Sequence, residues 1–548
     1  MTTELADKFE HSCNLQENAS TKNDKKKKNV GEIHPFYKEA FNNYPVHLKQ
    51  TKAKGRHAVA SEALSEGVEV SQETAAAFVV RSEFLNQHCH SCLADLVTPK
   101  SCSGCSMAYY CSSACLEKDV LHTSVCCAMK QVQAIARSTD VDVDLLRLML
   151  LLLARRSLGA QTLVPFWCVE DLLSHAEGAP DAFKQVVGAA CKLSNRWIFL
   201  LTEFVAERVL SELPESLRIS VDDMVALACR INNNAHGLGD QHARNTDVAL
   251  GLFPLGALFF NHSCNPNTAF VGLPNGKLAF RTIRPVKKDE ELVVSYIDIY
   301  SDRDERRREL LATKHFWCKC KRCAGPVEKS IDRFLQGIIC HQCEKDAYLV
   351  PATSIEHLVK GEKSVMLENT FRCATCGHQI ERKELQGALE AAHEKYTAGM
   401  AYIRQYGDYN KGREQLEELT KQPTKGGGVH TLNSIRFNSY IPLMNCLRYN
   451  GDLKGAVQVN KSILSLIEHY SEVGGLPKNT PEYSDFAQNL GELCEKVASQ
   501  SGSAILKKKW LKEAQQAYAQ ALNARSVTFG KTHPKAQIVQ QAINKIKL

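Results

Sequence analysis

The chain has 548 residues, with 68 Lys and Arg against 61 Asp and Glu, a net charge of +7. At roughly 150 residues per domain this length predicts three to four structural units, and 24% charged with 44% hydrophobic residues excludes a disordered scaffold. The small charge excess dictates no nucleic-acid partner, and the longest apolar run without Gly or Pro, Leu148 to Ala154, is seven residues against the roughly 20 of a membrane helix.

Residues 1–45 are polar, include Lys25 to Lys28, and read as a disordered leader whose lysines are either an import signal or a solvated charge run. No basic cap precedes an apolar stretch, so a chain of cytoplasm and nucleus is expected. Its 22 cysteines then meet a reducing compartment, where paired thiols read as metal ligands rather than disulfides. Residues 46–88 carry short β-type stretches around Gly55 and Gly67.

The first cysteine cluster, 89–126, runs Cys89-x2-Cys92, Cys102-x2-Cys105, Cys111-x3-Cys115 and His122-x3-Cys126. Eight ligands suffice for two tetrahedral zinc ions, and no single pair can enclose a metal, so distant pairs must converge. The metal replaces the hydrophobic core that so short a stretch lacks. Cys127 is a possible substitute ligand. The run closing on Tyr110-Cys-Ser-Ser-Ala-Cys115 and His122-x3-Cys126 resembles a MYND zinc finger. The resemblance implies interleaved sites, one on Cys89, Cys92, Cys111 and Cys115, the other on Cys102, Cys105, His122 and Cys126, and peptide partners for the finger. The family's tryptophan before the last pair is absent, with Val120 nearby. Lys100 and Lys118 are the finger's only basic residues, which argues against nucleic-acid binding.

Residues 127–225 carry helical periodicity, as in Val143 to Arg156 and Trp197 to Leu210, and 226–300 switch to short Leu-, Phe- and Val-rich segments that predict strands. Three strings follow in order: Asn261-His-Ser-Cys-Asn-Pro-Asn267, Glu290-Glu-Leu-Val-Val-Ser-Tyr296, and Cys318-x-Cys320-x2-Cys323. In this order they resemble a SET-domain lysine methyltransferase, and with the finger upstream the match narrows to the SET- and MYND-domain protein-lysine methyltransferase family. It covers about residues 49–323 by motif and the helical C-terminal domain by general character.

The arithmetic of ligands agrees, because Cys318, Cys320 and Cys323 leave a tetrahedral zinc one short and Cys264 can complete it. That metal clips the segment after Tyr296 onto the Asn261-His262 turn, within 301–326, and in SET domains such closure forms the methyl-donor site. Methyl transfer from S-adenosylmethionine to an amine needs alignment rather than a protein nucleophile. Tyr296 is the candidate catalytic residue, orienting amine and methyl. The resemblance implies donor contacts at Lys54, Gly55, Arg56, Asn234, Asn261, His262, Tyr296 and Phe316. Two departures stand out: His57 follows Gly55-Arg56 where a glycine is usual, which predicts crowding of the donor, and Lys314 stands in for a second active-site tyrosine, which removes an aromatic wall of the lysine channel unless a shifted register makes His315 or Phe316 that wall.

Asp302 to Glu309 alternates in sign and reads as a solvated helix face. Cys340-x2-Cys343 and Cys373-x2-Cys376 predict a zinc ribbon within 327–383, a fourth zinc ion. Cys13, Cys127, Cys168, Cys191, Cys229, Cys446 and Cys494 are scattered singly and read as ordinary thiols. Residues 384–548 are helical; Tyr440 to Leu466 resembles a helix pair of a TPR-like solenoid, with a plain bundle the other reading.

The expected architecture is α+β: a split SET β-fold with an inserted MYND finger and helical insert, a post-SET zinc site, a zinc ribbon and a C-terminal α-helical domain. The expected activity is lysine methylation of a histone or non-histone protein with S-adenosylmethionine. The alternative is an interaction or repressor adaptor that keeps the fold without turnover.

Overall fold

The computed structural model describes residues 32–547 except 140–141, 160–163, 175–214, 216–217, 240–246, 344–347, 352–368 and 422–427. Lys25 to Lys28, Cys13, Cys191 and the Trp197 to Leu210 helix expectation lie outside these residues. No helix among the described residues is long and apolar enough to cross a membrane.

Within residues 32–45, read as part of a disordered leader, the structure has a packed helix. Helix α1 (Pro35–Ala40) starts on Pro35, with Nδ1 of His34 accepting the Phe36 amide. Ile33, Tyr37 and Phe41, four apart, are buried, and the Tyr37 ring packs edge-on against Trp167 and Phe259 at 5.4 and 5.2 Å. Polar neighbours masked this apolar stripe in the composition of residues 1–45.

The β-core is assembled from two distant pieces. Strands β1 (Val46–Thr51) and β2 (Gly55–Ala60) form an antiparallel hairpin whose turn needs the left-handed backbone of Gly55, φ 66°. Strands β3 (Glu69–Thr74) and β4 (Ala77–Val80) end the first piece. The finger follows, its small hairpin made of β5 (Lys100–Ser101) and β6 (Tyr109–Tyr110). Helices α2 (Val120–Thr139) and α3 (Val143–Leu158) lead back to the core. Along α3, Leu145 to Leu146 and Leu148 to Ala154 are all buried, as an apolar run at this spacing requires. Arg147 is buried among them and fastens the finger to the sheet. Its guanidinium donates to Val80 O (2.6 Å), Asp144 Oδ1 (3.0 Å) and Met107 O (3.2 Å).

After α4 (Val221–Asn234) come β7 (Ala235–Gly239) and β8 (Asp247–Leu252), and β8 pairs with both β7 and β4. Helix α5 (Pro254–Phe259) carries its first amides on the buried Glu73 carboxylate, which accepts from Leu255 N (3.0 Å) and Gly256 N (2.7 Å). Strand β9 (Asn261–His262) is followed by β10 (Thr268–Leu273), β11 (Lys277–Thr282) and β12 (Val293–Val294). The order β10-β11-β3 joins the two pieces, and β9 lies parallel to β12. The parallel pair puts Asn261 and His262 beside Tyr296.

Helix α6 (Arg303–Lys314) corrects the expectation of a solvated face: Arg303 and Arg306 are 1% and 0% exposed. Their partners come from elsewhere in the chain. Asp332, on α7 (Asp332–Leu335), is buried between Arg306 and Arg322, taking Arg306 Nη1 at 2.8 Å and Arg322 Nη2 at 2.7 Å. Strands β13 (Ile338–Ile339), β14 (Tyr348–Pro351), β15 (Thr370–Cys373) and β16 (Gln379–Glu381) then form an antiparallel sheet over the Cys340-to-Cys376 region.

The remaining helices are α8 (Arg382–Tyr406), α9 (Tyr409–Thr420), α10 (Ser434–Tyr449), α11 (Leu453–Gly474), α12 (Pro481–Ser499), α13 (Ala504–Thr528) and α14 (Pro534–Lys545). Each packs on the next, and their core includes Leu443, Leu447, Ala456, Val457 and Ile463 together with Ile299 and Tyr300 from the β-core. The far end folds back onto the sheet, where Arg281 Nε donates to Val527 O (3.2 Å) and His533 meets Gly272 O (3.1 Å).

Candidate functional site

Four sulfurs placed 2.3 Å from one tetrahedral centre lie about 3.8 Å apart, whereas a disulfide brings two to about 2.05 Å. Among the described residues the chain brings together four sets that meet the first criterion: Cys89, Cys92, Cys111 and Cys115; Cys102, Cys105, His122 and Cys126; Cys264, Cys318, Cys320 and Cys323; Cys340, Cys343, Cys373 and Cys376. Within each set the ligand atoms lie within 4.8 Å of one another. Neighbouring edges measure 3.7 Å (Cys92–Cys111), 3.5 Å (Cys102–Cys126), 3.8 Å (Cys264–Cys318) and 3.8 Å (Cys340–Cys376). The finger's pairs interleave as the resemblance implies, and Cys127 stays outside both sets, exposed. The knuckle is built tightly: a Cβ on Gly104 would sit 2.7 Å from Cys126 Sγ. Of the scattered cysteines, Cys168, Cys446 and Cys494 are buried and Cys229 half-buried.

The third set sits in a charged interior. Arg306 Nη2 lies 3.5 Å from Cys323 Sγ, and Arg322 Nη1 donates to Cys264 O at 2.7 Å. A zinc with four thiolates carries a formal charge of −2, so these two buried cations offset charge that would be costly without them. The donor set and its surroundings fit zinc.

One turn away from Cys264 opens a cavity of about 600 Å³. Every residue expected to contact the donor lines it: Lys54, Gly55, Arg56, Asn234, Asn261, His262, Tyr296 and Phe316. Asn261 Nδ2 donates to Lys54 O (3.2 Å), Arg56 O (3.3 Å) and Glu291 Oε1 (3.1 Å), which ties the β1–β2 turn to β9. Glu291 also holds Lys54 Nζ at 2.6 Å. His262 accepts the Tyr296 amide on Nδ1 (3.1 Å) and turns Nε2 to Cys264 Sγ (3.2 Å). Burial pushes this imidazole down to about 4, so it is neutral with its proton on Nε2, toward the metal ligand. The Tyr296 hydroxyl donates to Phe260 O at 2.8 Å, and burial followed by the nearby Glu291 charge raises its pKa.

Two readings need correction. His57 does not crowd the cavity: it is buried in β2, outside the lining, with Nδ1 3.0 Å from Gly55 O. Alternation along the strand sends it to the opposite side from Arg56. Lys314 leaves no gap, because its own side chain lines the cavity, with Nζ 2.8 Å from Asn233 O and 5.8 Å from the centre of the Tyr296 ring. Phe316, its ring 5.9 Å from His262, closes the same side.

Some contributors had not been singled out. His236 lines the cavity two residues after Asn234, a strand spacing that could have flagged it. Its ring is held edge-on by Phe253 (5.9 Å) and Phe270 (4.8 Å), close to the Asn234 backbone. Asp171 holds Arg56 Nη1 at 2.9 Å and also accepts the Tyr37 hydroxyl at 2.8 Å. No local pattern in the sequence marks it.

The family model for the SET domain matches residues 150–297, and that for the MYND finger matches residues 89–126. The chain carries a SET-domain match and a MYND-finger match. The first match omits β1 to β4, which the SET core nonetheless incorporates through β3 and β4. Among its relatives are three named as histone-lysine N-methyltransferases. ASHR1 of Arabidopsis thaliana is 27% identical over 251 residues, 44% of this chain and 48% of its own. SMYD3 of Mus musculus is 28% identical over 241 residues, 43% and 51% respectively, and Smyd1 of the same organism 26% over 295 residues, 51% and 55%. The chain thus spans about half the length of the curated relatives it matches. A solved SET domain of LSMT bound to lysine and AdoHcy overlays 84% of this chain and 91% of that one at 11% identity and a TM-score of 0.32, a likeness too loose to argue from.

Proposed function

We propose that the chain is an S-adenosylmethionine-dependent protein-lysine N-methyltransferase acting on histone or non-histone lysines. The observation that carries the reading is the single cavity in which all eight expected donor contacts converge beside Tyr296, braced by the Cys264 metal set. S-adenosylmethionine, when bound, supplies an electrophilic sulfonium methyl. The chain's residues bind and align. Lys54, Gly55 and Arg56 from the β1–β2 turn, with Asn234, Asn261, His262 and Phe316, hold the donor, while the Tyr296 hydroxyl orients a neutral amine toward the methyl. With its pKa raised, Tyr296 is no general base at neutral pH, so the amine's proton leaves to water.

The substrate class is supported by a groove of about 290 Å³ that shares Gly237, Phe270 and Val294 with the cavity. The exposed carboxylates Asp247, Asp298 and Glu482 line it, complementary to a basic peptide. The helical tail, read as TPR-like, supplies one wall through Glu482 and recruits partners; the finger offers a further peptide surface. Cytoplasm and nucleus are the compartments this reading expects.

Calorimetric titration with S-adenosylmethionine, followed by a lysine-peptide array with labelled donor, tests the reading. Saturable donor binding and label on basic peptides are expected. Donor binding without transfer to any acceptor leaves the adaptor, and absence of binding removes the enzyme.

A further inference from the structure

The cavity holds three cationic side chains, and two of them are matched by acids: Lys54 by Glu291 and Arg56 by Asp171. Lys314 has no ion pair with a carboxylate among the described residues. Its Nζ is held by one neutral acceptor, Asn233 O at the C-terminal end of α4, over the Tyr296 ring and near enough to His236 for its charge to depress that imidazole. Burial in turn lowers the Lys314 pKa, against the opposing charge of Glu309. A desolvated lysine amine is a competent nucleophile.

We propose that Lys314 is a methylation site and that the chain methylates it in cis, from its own cavity. The inference rests on the reading of that cavity as a methyl-donor site. A neutral amine has two N–H bonds and one lone pair. Donating one N–H to Asn233 O leaves the lone pair free to face the cavity. In the step, the Lys314 Nζ lone pair attacks the sulfonium methyl, the new N–C bond forms as the S–C bond breaks, and the electron pair of that bond stays on sulfur. The products are S-adenosylhomocysteine and a methylated Lys314 ammonium, whose extra proton passes to water. No oxidant or further reactant is needed. Lys314 sits where Tyr296 can orient its amine as it would orient a substrate's, so the external acceptor and Lys314 compete for one position.

The test uses the purified full chain, with no peptide added, and S-adenosylmethionine carrying an isotopically labelled methyl group. Intact mass and peptide mapping follow the label, and calorimetry measures donor binding in parallel. The expected result is label on the peptide carrying Lys314, appearing at a rate per chain that does not change on dilution, with Lys314→Arg losing all label at that peptide. Donor binding with an unlabelled Lys314 overturns this inference and leaves the proposed function standing. A rate per chain that rises with protein concentration overturns the cis route. No donor binding overturns the reading beneath it and this inference together.

Discussion

Tyr296 separates alignment from binding, because its ring lines the cavity whereas its hydroxyl, fixed on Phe260 O, is the polar group available to an amine. Tyr296→Phe is therefore expected to keep donor affinity and zinc content and to lower turnover about 10²-fold, about 2.7 kcal/mol of transition-state stabilisation. Purified proteins compared at equal donor saturation measure this. Unchanged turnover assigns the hydroxyl no role. Cys264→Ser acts through the other side of the same turn. Replacing one thiolate weakens the metal that anchors His262 and the β9–β12 pair, so donor affinity falls and the zinc count drops by one. Intact affinity would refute the coupling between metal and cavity. These residues were legible because each sits in a short string whose neighbours share its task. His236 and Asp171 were not: one is marked only by its strand spacing from Asn234, and the other serves Arg56 from 115 positions away.

At the scale of elements, α6 shows how a local charge pattern misleads. Alternating signs over Asp302 to Glu309 suit a wet helix, and nothing nearby reveals that Asp332 and the thiolates will enclose the arginines. The Asp332 carboxylate accepts from Arg306 at both oxygens and from Arg322 at Oδ1. Asp332→Asn leaves two buried guanidinium cations without their carboxylate, at a cost of about 3–5 kcal/mol in denaturant unfolding. The arginines lower the Asp332 pKa from 3.8 to about 2, against the opposing effect of burial. A lowered folded-state value means that the stabilisation is whole above the unfolded value of 3.8 and is lost as pH falls through about 2. Acid titration of stability is thus expected to be steeper in this window for the wild type than for Asp332→Asn, and parallel curves would contradict the assignment. The strand pairings across β3 and β11 were equally hidden, since both are ordinary alternating segments and only their meeting makes a sheet.

At the scale of the molecule, the four ligand sets among the described residues lie where a metal would fasten pieces that lack large cores of their own: two in the finger, one behind the cavity, one in the ribbon. Elemental analysis is expected to give four zinc ions per chain, with Cys340→Ser giving three. A wild-type count of three, unchanged in that variant, would remove the metal from the ribbon. The divided β-core has a further consequence for how the chain is made. The Glu69–Arg281 ion pair closes over 212 positions, which at about 5–20 residues per second is roughly 10–40 s of synthesis. Throughout that interval β3 has left the ribosome without β11, a bare edge open to other chains, and β4 waits for β8 through most of it. The finger, by contrast, needs only residues 89–126 and metal to close, so it is the first part of the molecule able to fold. Zinc supply to the nascent chain, rather than to the finished protein, then sets the yield: cells starved of zinc during translation should accumulate aggregated chains that later addition of metal does not recover.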